Sequence, residues 1–242
     1  MPQVLAPVYQ DQDYYEQIYQ GKEDPWDYYS AAEQAKYCHM FETAKRLKPS
    51  PLRVLDAGCS LGHLTELLAD YAPEVFAFDI AKSAVERTRD RCKKLSTSTR
   101  FSVEVGDAIR PHFASASFDV VFLGDVIRNL LTEQDQQLAI RNTLALLNDS
   151  GILVLTDCMQ CYHQKAYASM VENQGGLVLE KLYYHDRYWL KFRSLVKQLG
   201  RPERIRSLLG STRVHRTLTR LGSFRGPSGS KHFGLVVRRA AA

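Results

Sequence analysis

The amino-acid sequence predicts an α/β protein with a doubly wound, mostly parallel sheet of seven strands. From residue 53 onward, short apolar segments alternate with amphipathic helical segments, which is typical of βαβ units with both sheet faces covered. The first apolar segment runs into a glycine-containing turn, where open α/β sheets bind their ligands. A length of 242 residues and a hydrophobic content of 45% suit one domain with a sizeable core.

Each element follows from a local pattern. A first helix begins at the capping box of Ser30 and Glu33 and ends before KPSP, since proline cannot continue a helix. The predicted strands are RVLDAG, EVFAFDI, RFSVEVGD, SFDVVFLGD, GILVLTD, GLVLEKLYYH and KHFGLVVRR, in chain order. The helices between them are HLTELLADY, KSAVERTRDRCKKL, a segment opened by Thr132 with Asp135, and a segment near residues 165–173.

The chain divides into an N-terminal helical and aromatic extension, residues 1–49, and a domain at residues 50–242. Seven of the 13 tyrosines lie before residue 38. The domain contains a basic insertion at residues 187–231, with twelve Lys or Arg and one acid, whereas the rest of the chain holds 20 basic and 26 acidic residues. Apolar positions interleaved with these cations predict amphipathic helices in the insertion.

Composition argues against several classes of protein. No apolar run is long enough for a transmembrane helix, and the N-terminus lacks a signal-peptide pattern, so we expect a cytoplasmic protein. The five cysteines are irregularly spaced and do not indicate a disulfide framework. The string CMQC, Cys158 to Cys161, has His163 nearby but no second ligand pair, so we expect no metal site.

The turn after the first strand departs from the dinucleotide-binding pattern. From Gly58 it reads G-C-S-L-G, with Gly62 as the second glycine, and it lacks the third glycine of G-x-G-x-x-G. Asp56 ends the strand, and a carboxylate there suits a cationic ligand better than a pyrophosphate. Asp79, 21 residues beyond Gly58, is placed to accept from ribose hydroxyls, and Asp107 from an adenine amino group. Acids at three strand ends predict a pocket for an adenosine without phosphate.

This ordered set resembles the class I S-adenosylmethionine-dependent methyltransferases over about residues 50–157. LDAGCSLG resembles their first motif, FAFDI their ribose acid, GDA their adenine motif and FDVVFLGDVIRNL their fourth-strand motif. The resemblance implies a Rossmann-like sheet with an antiparallel C-terminal strand, S-adenosyl-L-methionine as cofactor and methyl transfer as the reaction. The predicted cofactor contacts in this part of the chain are Asp56, Gly58, Cys59, Ser60, Gly62, Asp79, Ile80, Asp107, Ala108 and Gly124, and those in the extension are Trp26 and Tyr37. Ser60 departs from the family pattern, which has a glycine there.

The N-terminal half resembles one branch of that class, the NodS-like nodulation N-methyltransferases. These carry a DPW stretch, an EQ-x-KY helix and a GCSxG loop, which match DPWDYYSAAEQAKY from Asp24 and the loop from Gly58. The C-terminal part shows no obvious match, so their chitooligosaccharide substrate is not carried over.

Aromatic residues of the extension have two interpretations. Trp26, Tyr28 and Tyr29 either form a lid over the cofactor, where aromatic faces attract a sulfonium by about 0.5–2 kcal/mol, or pin a surface helix by packing.

Three residues are candidates for catalysis. Asp125, after the fourth strand, either orients the acceptor, takes its proton or caps a helix; His163 and His185 lie near later strand ends, where acceptors enter. The favoured function is methyl transfer to an oxygen or nitrogen of a small-molecule or glycan-like acceptor, with an anionic acceptor as one option. An RNA or protein methyltransferase docking through residues 187–231 and a non-catalytic cofactor-binding relative are the alternatives.

The basic insertion itself allows several partners. A lid over an anionic substrate, a membrane-surface patch, a nucleic-acid footprint and a solvated insertion all fit its pattern. We favour the lid because insertions at this edge of the sheet adjoin the acceptor pocket. For an RNA partner we would expect an added recognition domain or a longer basic surface, which the sequence pattern does not indicate. The sequence leaves the oligomeric state open.

Overall fold

The computed structural model describes residues 12–158, 164–199 and 202–240. Within those ranges one sheet of seven strands has the order β3-β2-β1-β4-β5-β7-β6. The strands are β1 Arg53–Ala57, β2 Glu74–Asp79, β3 Arg100–Val105, β4 Phe118–Gly124, β5 Leu147–Cys158, β6 Gly176–Tyr183 and β7 His232–Arg239. The helices are α1 Gln12–Gly21, α2 Ala31–Leu47, α3 His63–Leu67, α4 Lys82–Cys92, α5 Glu133–Leu146, α6 Gln164–Asn173, α7 Arg187–Leu199, α8 Pro202–Leu209 and α9 Thr212–Ser223. The predicted doubly wound, mostly parallel sheet is confirmed.

Strand order reverses between β1 and β4, and this reversal locates the ligand crevice. β1 pairs in parallel with β2 on one side and with β4 on the other. Their carboxyl ends therefore open into the same crevice, where doubly wound sheets bind ligands.

The C-terminal strand β7 is antiparallel, as the resemblance implies. It pairs with β5 so that His232 lies opposite Cys158, and with β6 on its other side. Because β7 runs against the parallel strands, its first residue lies at the edge where they end. Its start is thus brought to the ligand crevice.

Helices cover both faces of the sheet. On one face, α2 buries Met40 and Ala44 against Val54 and Val154. On the other, α5 and α6 pack against the same strands, with Ile140 in a second apolar cluster. Burial on both faces explains why the strands are continuously apolar. Since α2 shares a core with the sheet, the extension and the domain pack as one body, and the division at residue 49 stays a prediction.

Local signals set several element boundaries. Ser30 caps α2 by accepting from the backbone N–H of Glu33, and Thr132 caps α5 through Asp135, both as predicted. The helix predicted from His63 to Tyr71 is shorter and ends at Leu67. The chain then turns through Asp70, which has φ of 63° and whose side chain bonds Thr97.

The basic insertion forms α7, α8 and α9 between β6 and β7, confirming the predicted amphipathic helices. Trp189, Val196 and Leu209 from this segment are buried together with Ala31 at the start of α2. The insertion is thus anchored by an apolar core of its own, beside the N-terminal extension. Among the described helices, none is both long and apolar enough to cross a bilayer.

Candidate active site

A cavity of about 530 Å³ opens at the carboxyl ends of the parallel strands. Its walls come from the turns after β1, β2, β3 and β4, together with α1, α2 and α7. Eleven of the twelve predicted cofactor residues line it: Trp26, Tyr37, Asp56, Gly58, Cys59, Ser60, Asp79, Ile80, Asp107, Ala108 and Gly124. Asp125 lines it as well. Most of the predicted cofactor residues thus share one cavity, and their contact with the cofactor stays a prediction.

Gly62 is the exception, because it does not line this cavity. It precedes α3 with φ of 76°, and a Cβ there would lie 2.8 Å from the side chain of Thr88. The predicted cofactor contact from Gly62 is therefore replaced by a structural role, which is to let the turn pass close to α4.

The glycine turn is held from behind by β2. The backbone N–H groups of Gly58 and Cys59 both donate to the carbonyl of Phe78, at 2.8 and 2.9 Å. Gly58 has φ of 80°, a conformation that glycine adopts without the strain other residues incur. Ser60, where the family pattern has glycine, also lies in the left-handed region, with φ of 50°. Its conformation is stabilised by neighbours on both sides.

Asp79 is one of these neighbours. Its Oδ2 accepts the backbone N–H of Ser60 at 2.9 Å, and its Oδ1 accepts that of Ala81 at 3.0 Å. The residue is only 6% exposed, and burial raises the pKa of its carboxyl to about 6 despite these hydrogen bonds. Each carboxylate oxygen keeps a further lone pair, so Asp79 both fixes the glycine turn and presents an acceptor to the cavity.

The two other predicted acids differ in burial. Asp56 is 3% exposed and accepts from the Thr65 hydroxyl at 2.6 Å, and burial raises the pKa of its carboxyl to about 7. Asp107 is half-buried and accepts the backbone N–H of Ile109 at 2.8 Å. Asp107 thus closes a turn through its side chain, while it also lines the cavity.

Aromatic residues of the extension form the wall over the glycine turn. Tyr19 from α1 and Ser60 share a hydroxyl–hydroxyl bond of 2.5 Å, and the indole N–H of Trp26 donates to the Tyr19 hydroxyl at 3.2 Å. Tyr28 is buried and lines the cavity. Tyr29 does not line it and contacts Asp27 and Arg206 instead. Of the predicted aromatic residues, Trp26 and Tyr28 therefore meet the requirement for a lid over the cofactor site.

Polar links fasten α1 over the site. Glu16 bonds the hydroxyl of Ser83 and accepts its backbone N–H at 3.0 Å. The guanidinium of Arg87 donates to the carbonyls of Tyr19, Lys22 and Glu23. Both anchors belong to α4, so α1 is held closed by the helix that follows the ribose acid.

A buried ion-pair cluster lies at the far end of the cavity, after β4. The ammonium of Lys36 pairs with Asp125 and with Glu33, the latter at 2.7 Å. Burial opposes the charge on Lys36, but the two carboxylates raise its pKa. Burial also opposes the charge on Asp125, yet Lys36 lowers the pKa of that carboxyl to about 2.

This pairing narrows the predicted role of Asp125. A carboxylate with so low a pKa is a weak proton acceptor, so the structure favours orientation of the acceptor over removal of its proton. Asp125 Oδ1 is buried, and within the described ranges no hydrogen bond reaches it. Its backbone, with φ of 55°, is held by the Asn129 side chain, which donates to the Asp125 carbonyl at 2.6 Å.

His185, a second catalytic candidate, does not line this cavity. His185 lines a smaller neighbouring cavity of about 190 Å³, and its backbone N–H donates to Ser230. It does not line the main cavity, so its predicted role as a base is not supported by its position. His163 lies outside the described residues, as does Cys161 of the CMQC string.

The sequence did not predict several polar residues that line the cavity, among them Tyr19, Lys36, Arg193, Lys197 and His232. Arg193 Nε donates to Asp27 Oδ2 at 3.1 Å, and Lys197 pairs with that oxygen too. His232 pairs with Asp186. Lys36 is the lysine of the EQ-x-KY string, which does not indicate its place in the site. The other four residues reach the cavity through tertiary packing that no local sequence pattern indicates.

Residues 48–200 match a family model described as a methyltransferase domain. The chain belongs to this methyltransferase family. Nodulation protein S of Sinorhizobium fredii is 27% identical over 170 residues, which cover 66% of this chain and 76% of that protein. Phosphoethanolamine N-methyltransferase 1 of Triticum aestivum is 26% identical over 169 residues, covering 63% of this chain and 33% of that protein.

Solved structures agree on the fold. The N-methyltransferase NodS from Bradyrhizobium japonicum WM9, in complex with S-adenosyl-L-homocysteine, superposes with a TM-score of 0.66 at 16% identity. The match covers 95% of this chain and 98% of that chain. Family membership and the site together identify an S-adenosylmethionine-dependent methyltransferase with a Rossmann-like sheet.

The residues of the cavity fit this cofactor. The buried Asp79 carboxylate and the turn at Gly58 suit a ribose, and the aromatic wall of Tyr19, Trp26 and Tyr28 suits a desolvated cation. Asp56 adds a buried carboxylate that attracts positive charge. When bound, the cofactor supplies an electrophilic methyl group on a sulfonium.

The raised pKa values of Asp56 and Asp79 predict that cofactor affinity depends on pH. A cationic ligand favours the ionised carboxylates, so the dissociation constant for S-adenosylmethionine should rise as pH falls below about 7, by about tenfold per pH unit for each linked group. Calorimetry between about pH 8 and about pH 5 measures this. A dissociation constant that stays flat across this range would show that neither carboxyl faces the cation.

Proposed function

We propose that this enzyme methylates an oxygen or nitrogen of a small-molecule or glycan-like acceptor that carries an anionic group. The observation that carries the proposal is that α7 of the basic insertion lines the same cavity as the cofactor residues, through Leu190, Arg193, Ser194 and Lys197. A basic wall next to the acceptor end favours the lid interpretation of the insertion.

Charge around α7 supports an anionic acceptor. Arg193 and Lys197 share a single carboxylate oxygen of Asp27, so the cluster carries one net positive charge. The Arg193 side chain is 32% exposed and the Lys197 side chain 43% exposed, so both cations are reachable from the cavity mouth. A phosphate or carboxylate matches such a fork of donors.

The size of the cavity favours a small acceptor. About 530 Å³ lies within the range of roughly 300–1,000 Å³ that is usual for small-molecule sites, and this volume must hold both cofactor and reacting group. The name of the Triticum aestivum relative gives phosphoethanolamine, a small anion with an amine, as its acceptor, which supports the same class here.

Methyl transfer in this site depends chiefly on positioning. An in-line displacement gains roughly 7–11 kcal/mol from holding the nucleophile in line with the bond that breaks. Asp125 Oδ1 is buried and, among the described residues, accepts no hydrogen bond, so it offers a fixed acceptor for a donor group of the substrate beside the nucleophile. The anionic end would be held by α7, and the reacting end by Asp125.

The experiment is an acceptor screen with labelled S-adenosylmethionine, using phosphoethanolamine and glucosamine 6-phosphate beside their uncharged analogues ethanolamine and glucosamine. We expect product from a phosphorylated acceptor. Arg193→Ala should raise its KM by roughly 10- to 100-fold, since a hydrogen bond to a charged group contributes about 1.5–3 kcal/mol, and should leave kcat nearly unchanged.

Arg216→Ala is the matched control, because Arg216 is an exposed cation of the same basic insertion, on α9. An unchanged KM in Arg193→Ala would contradict the anion site. Salt-sensitive binding of RNA by the unchanged protein would favour the nucleic-acid alternative. Cofactor binding without turnover on any of these acceptors would favour a non-catalytic relative.

A further inference from the structure

His232 lines the candidate active site, although it is far from the other site residues in sequence. It is the first residue of β7 and pairs with Cys158 at the end of β5. The antiparallel direction of β7 therefore brings it to the carboxyl edge of the sheet. His232 lines both the main cavity and the smaller cavity beside α7 and α9.

Asp186 holds the imidazole in one orientation. Nδ1 of His232 pairs with Asp186 Oδ2. Asp186 Oδ1 accepts the backbone N–H groups of Lys231 at 2.7 Å and His232 at 3.1 Å. Asp186 is 5% exposed, and these three hydrogen bonds fix its carboxylate in place. Because Nδ1 is occupied, Nε2 is the ring nitrogen that His232 presents to the cavities.

Charged groups from several elements surround this imidazole. Burial lowers the pKa of His232, but the bond to Asp186 and the charge of Asp125 raise it, and Lys36 acts in the opposite direction, so that the net pKa lies above its usual value. The other titratable or charged groups that line the smaller cavity with His232 are Glu33 and His39 on α2, Tyr183 at the end of β6, Tyr184 and His185 between β6 and α7, Arg193 on α7 and His215 on α9.

We propose that His232 is the general base of the methyl transfer and that Asp186 is its positioning residue. The inference rests on the proposed function. The acceptor's lone pair forms the new bond to the methyl carbon, and the carbon–sulfur bond breaks with its electron pair left on sulfur. The proton of the acceptor goes to Nε2, and Asp186 stabilises the imidazolium that results.

The competing candidates fit this role less well. Asp125 has a carboxyl pKa of about 2 and is paired with Lys36. His185 lines only the smaller cavity, and its Nδ1 lies 3.5 Å from the Ser230 hydroxyl. Two of the described histidines, His63 and His232, line the main cavity. His63 Nε2 lies 3.2 Å from Arg91 Nη2, whereas His232 is bonded to a carboxylate, the partner that orients a basic imidazole.

The first test needs no acceptor. In the full-length protein labelled with ¹⁵N-histidine, nuclear magnetic resonance should show the neutral His232 ring protonated on Nδ1, with a titration midpoint above about 6.5. Asp186→Asn should lower that midpoint and should leave unchanged the midpoint of His63, whose ring bonds Arg91 instead. A proton on Nε2 in the neutral ring, or a midpoint that Asp186→Asn leaves unchanged, would overturn the inference.

The second test uses the acceptor that the screen identifies. His232→Gln should lower kcat by roughly 10²- to 10⁴-fold with the dissociation constant for S-adenosylmethionine unchanged, and His112→Gln should change neither. In the unchanged enzyme kcat should rise with pH through the His232 pKa, and in Asp186→Asn this rise should move to lower pH.

Failure of this inference and failure of the proposed function give different results. If His232→Gln keeps full kcat and the same pH profile, His232 is not the base although the enzyme methylates its acceptor. If the unchanged protein methylates none of the probe acceptors, the proposed acceptor class is wrong, and the resonance titration alone decides whether His232 is poised as a base.

Discussion

Asp79→Ala should weaken S-adenosylmethionine binding by roughly 10²- to 10⁴-fold, because hydrogen bonds to a charged group contribute about 1.5–3 kcal/mol each and the variant loses at least two. The carboxylate accepts the backbone N–H groups of Ser60 and Ala81 and presents its remaining lone pairs to the cavity. Without it the N–H of Ser60 is left buried with no acceptor, and the turn that faces the cofactor loses its conformation. Calorimetry with S-adenosylmethionine and S-adenosylhomocysteine measures the effect.

Asp13→Ala provides the matched control, since Asp13 is an exposed acid on α1. Asp79→Asn separates charge from shape, because its amide keeps one acceptor but places a donor against a backbone N–H. We expect it to bind the cofactor weakly as well. If Asp79→Ala binds both ligands as tightly as Asp13→Ala does, the cofactor does not occupy this cavity as assigned.

The cofactor end of the site was predictable because its acids lie near the carboxyl ends of parallel strands. Asp56, Asp79 and Asp107 each lie within two residues of the end of a strand. Because parallel strands end at one edge of the sheet, their positions in the sequence already imply proximity. The same reasoning gave the strands and the covering helices. Helix ends were less predictable, and α3 stops at Leu67 because the chain turns at Asp70.

Ser60 shows how a departure from a motif becomes intelligible only in three dimensions. The sequence marks it as the wrong residue for a position that is glycine in the family. In the structure Ser60 has a left-handed backbone, with φ of 50°. The Asp79 carboxylate accepts its N–H, and the Tyr19 hydroxyl bonds its side chain, so that a serine is held in this conformation. Tyr19 belongs to the extension, so no pattern around the turn could indicate it.

The proposed acceptor end was largely unpredictable from the sequence, for a topological reason. His232 follows the whole basic insertion and reaches the site because β7 is antiparallel. Arg193 and Lys197 reach it because α7 packs through Trp189 against the start of α2. Charge counting identified the insertion as a basic segment, but which of its cations face the cavity depends on packing alone.

Lys36→Met should lower the free energy of unfolding by about 3–5 kcal/mol at neutral pH, the range found when one partner of a buried ion pair is removed. The substitution leaves Asp125 and Glu33 without their shared cation in a part-buried cluster. Chemical denaturation monitored by fluorescence measures the loss. Lys45→Met is the control, because Lys45 is an exposed lysine of the same helix.

The pH dependence of this loss identifies its cause. In the unchanged protein Lys36 keeps the Asp125 pKa at about 2, below its unfolded value, so the stability that this carboxylate contributes is lost only as pH falls through about 2. In Lys36→Met burial acts unopposed by that cation and raises the Asp125 pKa. Protonation of Asp125 then stabilises the folded variant. The difference in free energy of unfolding between the variant and the unchanged protein should therefore shrink as pH falls toward about 4. Adding Asp125→Asn should recover part of the loss at neutral pH, and a deficit that neither acid nor this second substitution reduces would mean that Lys36 acts through packing of its side chain instead.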